Sequence, residues 1–248
     1  MSPSSPLPPS HLKPLYYTAT LTEMEYNLML PDSNRLVDGR DVRRSNKVRA
    51  AQLLSAKRAF DVIFAFLVLT LLLSWFVPLV ALIIKLESKG PVFFKQLRTG
   101  KDNQPFYCLK FRSMQVNAEA NHKQASKGDA RVTRVGSFIR KTSIDELPQF
   151  INVLRGEMSI VGPRPHMLKH TEEYSQVVNG FMQRHTVTPG ITGLAQVRGY
   201  RGETKETIAM AKRVELDIWY IENQSFLLDL EIVAMTVVQA VKGNENAF

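Results

Sequence analysis

VIFAFLVLTLLLSWFVPLVALII, residues 62–84, decides how this chain is organised. It runs for 23 positions without a charge, and about 20 apolar residues suffice for a helix to cross a bilayer core. Buried helices of soluble proteins seldom contain runs this long and this apolar. Pro78 interrupts the run, because its ring crowds the preceding turn and it has no N–H to donate. Lys and Arg normally concentrate on one flank of a spanning helix. Here Arg43, Arg44, Lys47, Arg49, Lys57 and Arg58 precede the run, and Lys85, Lys89, Lys95, Arg98 and Lys101 follow it. A Pro-broken helix with balanced flanks predicts a re-entrant hairpin whose ends emerge on one side of the membrane. A tilted single span is the other arrangement. On the hairpin reading Met1 and Phe248 both face the cytoplasm.

Three regions follow from this anchor. Residues 1–55 form an N-terminal tail, rich in Ser and Pro over 1–14 and polar over 32–50, without the apolar run of a signal peptide. The expectation is a largely irregular tail with a short ordered piece near 15–30. Residues 56–89 are expected to form the membrane helix, and 90–248 a cytoplasmic-facing catalytic domain with an interfacial C-terminal helix. Val92–Leu97 and Phe106–Phe111 are β-rich runs on either side of the turn-forming Thr99–Gln104, which predicts a β-hairpin. That hairpin gathers Lys95, Arg98, Lys110 and Arg112 into a basic strip beside the membrane exit, suited to phosphate or to plain surface charge. Residues 115–130 are polar, a helix or a loop. Near the C-terminus Phe226, Leu227, Leu228, Leu230, Ile232, Val233 and Met235 are interrupted by Asp229 and Glu231. The stretch is too polar to span, and with Trp219 and Tyr220 before it reads as an interfacial helix. The fold class is α+β: a mostly helical, membrane-associated domain with one β-hairpin and a Pro-broken re-entrant helix.

The chain has 248 residues and is 44% hydrophobic, enough for a substantial core, with a net charge of +9. Such an excess favours anionic partners. The basic residues adjoin a membrane segment and match no nucleic-acid motif, so phosphorylated substrates and acidic lipids are expected and nucleic acid is not. The single cysteine, Cys108, excludes an internal disulfide framework.

The densest chemistry lies in RVTRVGSFIRKTSIDELPQFINVLRGEMSIVGPRPH, residues 131–166. Leu147, Phe150, Ile151 and Leu154 fall on one face of a helix. Ser143 and Glu146 have capping-box spacing, although Pro148 lies deep for a start at Ser143. Two acids in a first turn are explained well enough by the helix dipole. Their neighbours argue for more: Arg134, Arg140 and Lys141 precede them, and Arg164 follows between Pro163 and Pro165. Carboxylates among such cations suit a site for phosphates and a divalent metal. Gly190, Gly193, Gly199 and Gly202 mark a loop able to approach a ligand closely. Arg213 and Asp217, four apart, read as a surface pair on a helix over 212–223.

Together KRAFD at 57–61, the Pro-containing apolar helix, GPVFFKQLRTG at 90–100, KFRSM at 110–114, RKTSIDELPQFINVLRGEMSIVGPRP at 140–165, PGITGLAQVRG at 189–199 and LDIWYIEN at 216–223 resemble the bacterial sugar transferase family. These are monotopic phosphoglycosyl transferases that begin lipid-linked glycan assembly. The resemblance covers about Lys57 to Phe248 and suggests a minimal catalytic form without the extra N-terminal helices of larger members. The family often has Ser before the helix-breaking proline, where this chain has Val77. The resemblance implies a re-entrant helix and a two-step reaction. Asp145 is the implied nucleophile on a UDP-sugar, forming an aspartyl-phosphosugar intermediate and releasing UMP, and polyprenyl (undecaprenyl) phosphate is the acceptor. Glu146 is the implied partner of Mg²⁺. Arg140 and Arg164 would bind phosphate oxygens, Lys110 and Arg112 would lie near the lipid phosphate, and Arg198 and Asp217 would complete the substrate site. RGETKETIAMAKRVELDIWYIEN and the ending NENAF look closest to members transferring glucose-1-phosphate. The implied location is the bacterial inner membrane facing the cytoplasm, in contact with membrane lipids, with homo-oligomerisation left open. The products expected downstream are exopolysaccharide, capsule or O-antigen. The rival readings are a membrane-bound glycosyltransferase releasing UDP and a non-catalytic lipid-binding adaptor.

Overall fold

Most local structure here follows from turn chemistry and apolar periodicity. A computed structural model describes residues 55–116, 128–202 and 207–242. The expected tail, with its ordered piece at 15–30, falls outside the described residues except for Ser55. So do the ending NENAF and most of the polar stretch 115–130.

The apolar run forms helix α1, Ser55–Glu87. Pro78 lies inside it without ending it, and Val68–Leu73 winds as a π-helix shortly before it. A π turn is one way a helix absorbs a proline. Thr70 Oγ1 donates to the Phe66 carbonyl at 2.8 Å, Ser74 Oγ to the Thr70 carbonyl at 2.7 Å, and Trp75 Nε1 to the Leu71 carbonyl at 3.1 Å. These bonds give carbonyls in and around the distorted stretch side-chain donors from the same helix. The break expected at Pro78 is therefore a distortion within a continuous helix.

One face of α1 is buried at Ala65, Leu73, Val80 and Ile84, while Ile63, Phe66, Leu71, Trp75, Leu79, Leu82 and Leu86 are exposed. Both ends are tied to the domain by polar groups. At the first, Lys57 Nζ donates to Asp229 at 2.6 Å, Arg58 to the Val153 carbonyl at 2.6 Å, and Asp61 accepts from Ile160 N at 3.0 Å. At the second, the Glu87 carboxylate accepts from Arg134 N at 2.8 Å and Val135 N at 3.1 Å. Arg112 there donates to the Ser88 and Lys89 carbonyls.

The predicted hairpin is present, with β1 (Phe93–Thr99) antiparallel to β2 (Pro105–Phe111). Its turn, Lys101–Asn103, places Asp102 and Asn103 at positive φ, the residue types that tolerate it best apart from glycine. The basic strip does not survive as a unit. Lys95 is exposed, Arg98 donates to the Pro165 carbonyl at 2.8 Å, Lys110 turns to Glu146, and Arg112 holds the end of α1.

Helix α2, Arg134–Lys141, is capped by Thr133 Oγ1, which accepts from Gly136 N at 2.9 Å. Helix α3, Gln149–Arg155, begins after Pro148. Its buried face is Gln149, Phe150, Asn152 and Val153, whereas Leu154 is 37% exposed. The apolar count over 147–154 misplaced this face because Asn152 takes a core position. Asn152 accepts from Leu109 N at 3.0 Å and donates to the Tyr107 carbonyl at 2.8 Å, fastening α3 to β2.

Strand β3 (Ser159–Val161) pairs in parallel with β4 (Gly190–Thr192). A Cβ on Gly190 would lie 2.1 Å from Gly162 N, and one on Gly193 would lie 2.2 Å from the Gly162 carbonyl oxygen. These glycines serve backbone-to-backbone approach, a role other than the ligand loop anticipated for them. Helix α4 (Leu168–Val177) and a 3₁₀ segment (Phe181–Thr186) follow β3, and α5 (Leu194–Val197) follows β4. Helices α6 (Thr207–Glu222) and α7 (Phe226–Lys242) come last. Phe226, Leu227, Leu230, Val237 and Val238 of α7 are exposed. Tyr220, expected at the headgroups, is instead 1% exposed, and its hydroxyl donates to Asp229 at 2.6 Å. Asp229, which seemed to interrupt an apolar run, is a buried partner for Lys57.

Candidate active site

Asp145 and Glu146 occupy a 3₁₀ turn, Ile144–Glu146, between α2 and α3. Ser143 enters it in the left-handed region at φ 61° and forms no side-chain cap, so the expected capping box is absent. Leu147 N bonds the Ile144 carbonyl at 3.1 Å and Ile151 N bonds the Pro148 carbonyl at 3.0 Å. Pro148 thus sits where the chain changes from 3₁₀ to α-helix, a place where no N–H is needed. The acids precede α3 instead of capping it.

The two acids are 7% and 6% exposed and live in different surroundings. Glu146 is enclosed by cations. Lys110 Nζ donates to its Oε1 at 2.7 Å, Arg164 forks onto it at 2.6 and 3.2 Å, and Arg201 reaches its Oε2 at 3.2 Å. Burial works to raise its pKa, but the fields of Arg164, Lys110 and Arg201 outweigh this and hold it well below the usual carboxylate range. Asp145, among the described residues, accepts no hydrogen bond and joins no ion pair. Burial pushes its carboxyl up, helped by the charge of Glu146 and opposed by Lys110, Arg140 and Arg201. One acid is fixed and neutralised, and the other has no bonding partner among the described residues and lies in a cationic field.

Of the residues expected at the site, Lys110 and Arg164 meet Glu146 directly. Arg140 bears electrostatically on Asp145 and donates to Ser113 Oγ at 3.4 Å. Arg112 is committed to the carbonyls ending α1, and Arg198 is exposed at the end of α5. Asp217 and Arg213 are both buried, not a surface pair, and Asp217 bonds Arg184 instead of Arg213. Burial raises the Asp217 pKa, with Arg184 and Arg213 opposing.

Sequence reasoning passed over Arg201, Arg184 and His166. The signals available were the second arginine of RGYRGE, the basic pair in FMQRHT and the histidine closing GPRPH. His166 lies between Arg184 and Arg213. Burial and these two cations hold its pKa well below the ordinary value.

Glu146→Gln removes the counter-charge of three partly buried cations. The expected loss is about 2–3 kcal/mol, at or below the range for breaking a buried pair because the cations keep some solvent. The urea midpoint near pH 7 would report it. The sign follows from the depressed pKa: this stabilisation is complete above the unfolded carboxylate pKa and is lost as pH falls through the folded value. A midpoint unchanged at neutral pH would contradict it.

A family model described as bacterial sugar transferase matches residues 52–243. The chain belongs to this family. Among curated sugar transferases it is 54% identical over 184 residues to the UDP-glucose:undecaprenyl-phosphate glucose-1-phosphate transferase of Escherichia coli K12, covering 73% of this chain and 39% of that protein. The protein of the same name from Caulobacter vibrioides is 50% identical over 182 residues, covering 73% and 68%. A UDP-N-acetylgalactosamine-undecaprenyl-phosphate N-acetylgalactosaminephosphotransferase from Aeromonas hydrophila is 45% identical over 192 residues, covering 75% and 44%. This sugar transferase therefore spans well under half the length of the Escherichia coli relative.

Proposed function

We propose that this chain transfers glucose-1-phosphate from UDP-glucose to undecaprenyl phosphate through a covalent intermediate on Asp145. The observation that carries the reading is the divided pair: among the described residues Asp145 has unengaged lone pairs, while its neighbour Glu146 holds three cations in place. An oxygen of Asp145 attacks the phosphorus nearer the sugar, and the bond from that phosphorus to the bridging oxygen breaks, so UMP leaves with the electron pair. The acyl phosphate formed carries the sugar. A phosphate oxygen of the lipid then attacks the same phosphorus, and the Asp145 carboxylate leaves. Splitting one displacement into two is covalent catalysis by a carboxylate. Lys110, Arg164 and Arg201, with Arg140 nearby, supply positive charge where the diphosphate would lie.

The carboxylate pair also fits Mg²⁺, which takes one or two carboxylates and completes its shell with phosphate oxygens and water. Among the described residues Asp145 offers free lone pairs, whereas both Glu146 oxygens are engaged by cations, so an assignment to Glu146 alone fits less well. Bound there, the ion would offset charge on the diphosphate and the leaving UMP.

A re-entrant placement of α1 is supported by its polar ties, because Lys57 and Arg58 at one end and Glu87 at the other bind a single domain. A helix crossing the bilayer would part those ends by about 30 Å of hydrocarbon. The exposed apolar face of α1 and that of α7 are where lipid would lie, at the inner membrane with the site toward the cytoplasm. An N-terminal tag labelled by an impermeant reagent on intact cells would overturn this placement.

The deciding assay is purified protein with radiolabelled UDP-glucose, undecaprenyl phosphate and Mg²⁺. The expected products are lipid-linked glucose and UMP, with turnover lost on chelation and restored by Mg²⁺. Release of UDP would indicate a glycosyltransferase, and absence of any product would leave a lipid-binding adaptor. UDP-N-acetylgalactosamine belongs in the same assay, because one or two hydroxyl contacts can reverse a sugar preference.

A further inference from the structure

Behind the carboxylate pair lies a buried polar hub that neither acid touches. Arg184, 1% exposed, donates from Nε to Asp217 at 3.1 Å, contacts His166 Nδ1 through one terminal nitrogen, and donates to the Arg164 carbonyl at 3.0 Å through the other. Arg213 faces His166 Nε2 at 3.3 Å and donates to the Gly202 carbonyl at 2.9 Å. Each hub arginine therefore grips the backbone of a loop that delivers a site arginine. Arg184 holds Arg164 itself, and Arg213 holds the residue next to Arg201. Arg164 and Arg201, both later in the chain than Glu146, converge on it from two separate loops.

We propose that Arg213 and Arg184 are positioning residues, set by Asp217 and His166, that fix the reach of Arg201 and Arg164 to Glu146. The inference rests on the reading of the site as a phosphosugar transfer centre. The cost of burying these guanidinium groups favours this role over simple stabilisation. A guanidinium in the interior is costly to desolvate, and Arg213 Nε is buried without a partner among the described residues. An apolar side chain of similar length would pack there at lower cost. What it could not supply is a rigid fork joining His166 to the Gly202 carbonyl.

The test is a double-mutant cycle in the full chain, read as kcat/KM for UDP-glucose together with the urea midpoint. Removing one charge-assisted hydrogen bond from Arg201→Met is expected to lower kcat/KM about 10–100-fold, and Arg213→Met about tenfold. If Arg213 acts through Arg201, the double variant is no worse than Arg201→Met alone, and the effect of Arg213→Met appears in KM. Arg213→Lys, which keeps charge but not the fork, serves if the Met variant folds poorly, with the same non-additivity expected. Multiplying losses, or an Arg213 variant with wild-type kinetics, would overturn the proposal. If wild-type protein releases no UMP, it is the underlying functional reading that fails.

Discussion

Asp145→Asn is expected to abolish UMP release, lowering kcat by at least about 10³-fold, while leaving the protein folded. The amide keeps the size of the side chain and removes the nucleophilic oxygen charge. Stability should not fall, because burial raises the Asp145 pKa and nothing among the described residues bonds its carboxylate. An acid whose folded pKa exceeds its unfolded value opposes folding once ionised, and the penalty grows as pH rises from the unfolded pKa through the folded one. The Asn variant escapes it, so its urea midpoint at neutral pH should equal or exceed that of the wild type. Lost function without lost stability is the signature of a group kept for chemistry. Mass spectrometry of wild-type protein with UDP-glucose and no acceptor should find the phosphosugar adduct on Asp145. Retained turnover in the variant, or an adduct on another residue, would remove Asp145 from the nucleophile's role.

Asp217→Ala should carry the largest stability loss, about 3–5 kcal/mol. Arg184 is 1% exposed, and Asp217 is its carboxylate partner. Alone, its guanidinium would stand near Arg213 and neutral His166 with little compensation. The intact pair is nevertheless not strongly favourable, since burial raises the Asp217 pKa despite Arg184. The raised value means that ionising Asp217 opposes folding as pH rises through that range. Replacing both members, Arg184→Met with Asp217→Leu, should therefore recover much of the stability. It should not recover activity, because the Arg184 bond to the Arg164 carbonyl is gone. A change under about 0.5 kcal/mol for Asp217→Ala, the range of an ordinary surface substitution, would refute the assignment.

The sequence by itself determined the features whose causes are local. The apolar run at 62–84 became α1, because length and absence of charge suffice to set such a helix. The hairpin followed from two β-rich runs around a turn able to take positive φ. Ordered motifs and nearby cations single out Asp145 and Glu146 in the sequence, although the helix-cap conformation expected of them is not the one they adopt. Asn152 and Asp229 were misjudged because a polar residue was counted as outward, whereas each satisfies partners across the core.

Only the tertiary structure decided which charges meet. Lys110, Arg164 and Arg201 lie 36, 18 and 55 residues from Glu146 in the chain. Arg184 lies 33 from Asp217. Spacing within a helix or strand says nothing about such pairs, which form where β2, the loop after β3 and the loop after α5 are brought together by packing. The pairing of β3 with β4 is equally hidden, three residues each being too few to show a period. The sequence could collect the acids and the arginines. Deciding that Glu146 is held by three of them while Asp145 is left open required the fold, because solvation and distance, which set that difference, are properties of the packed chain.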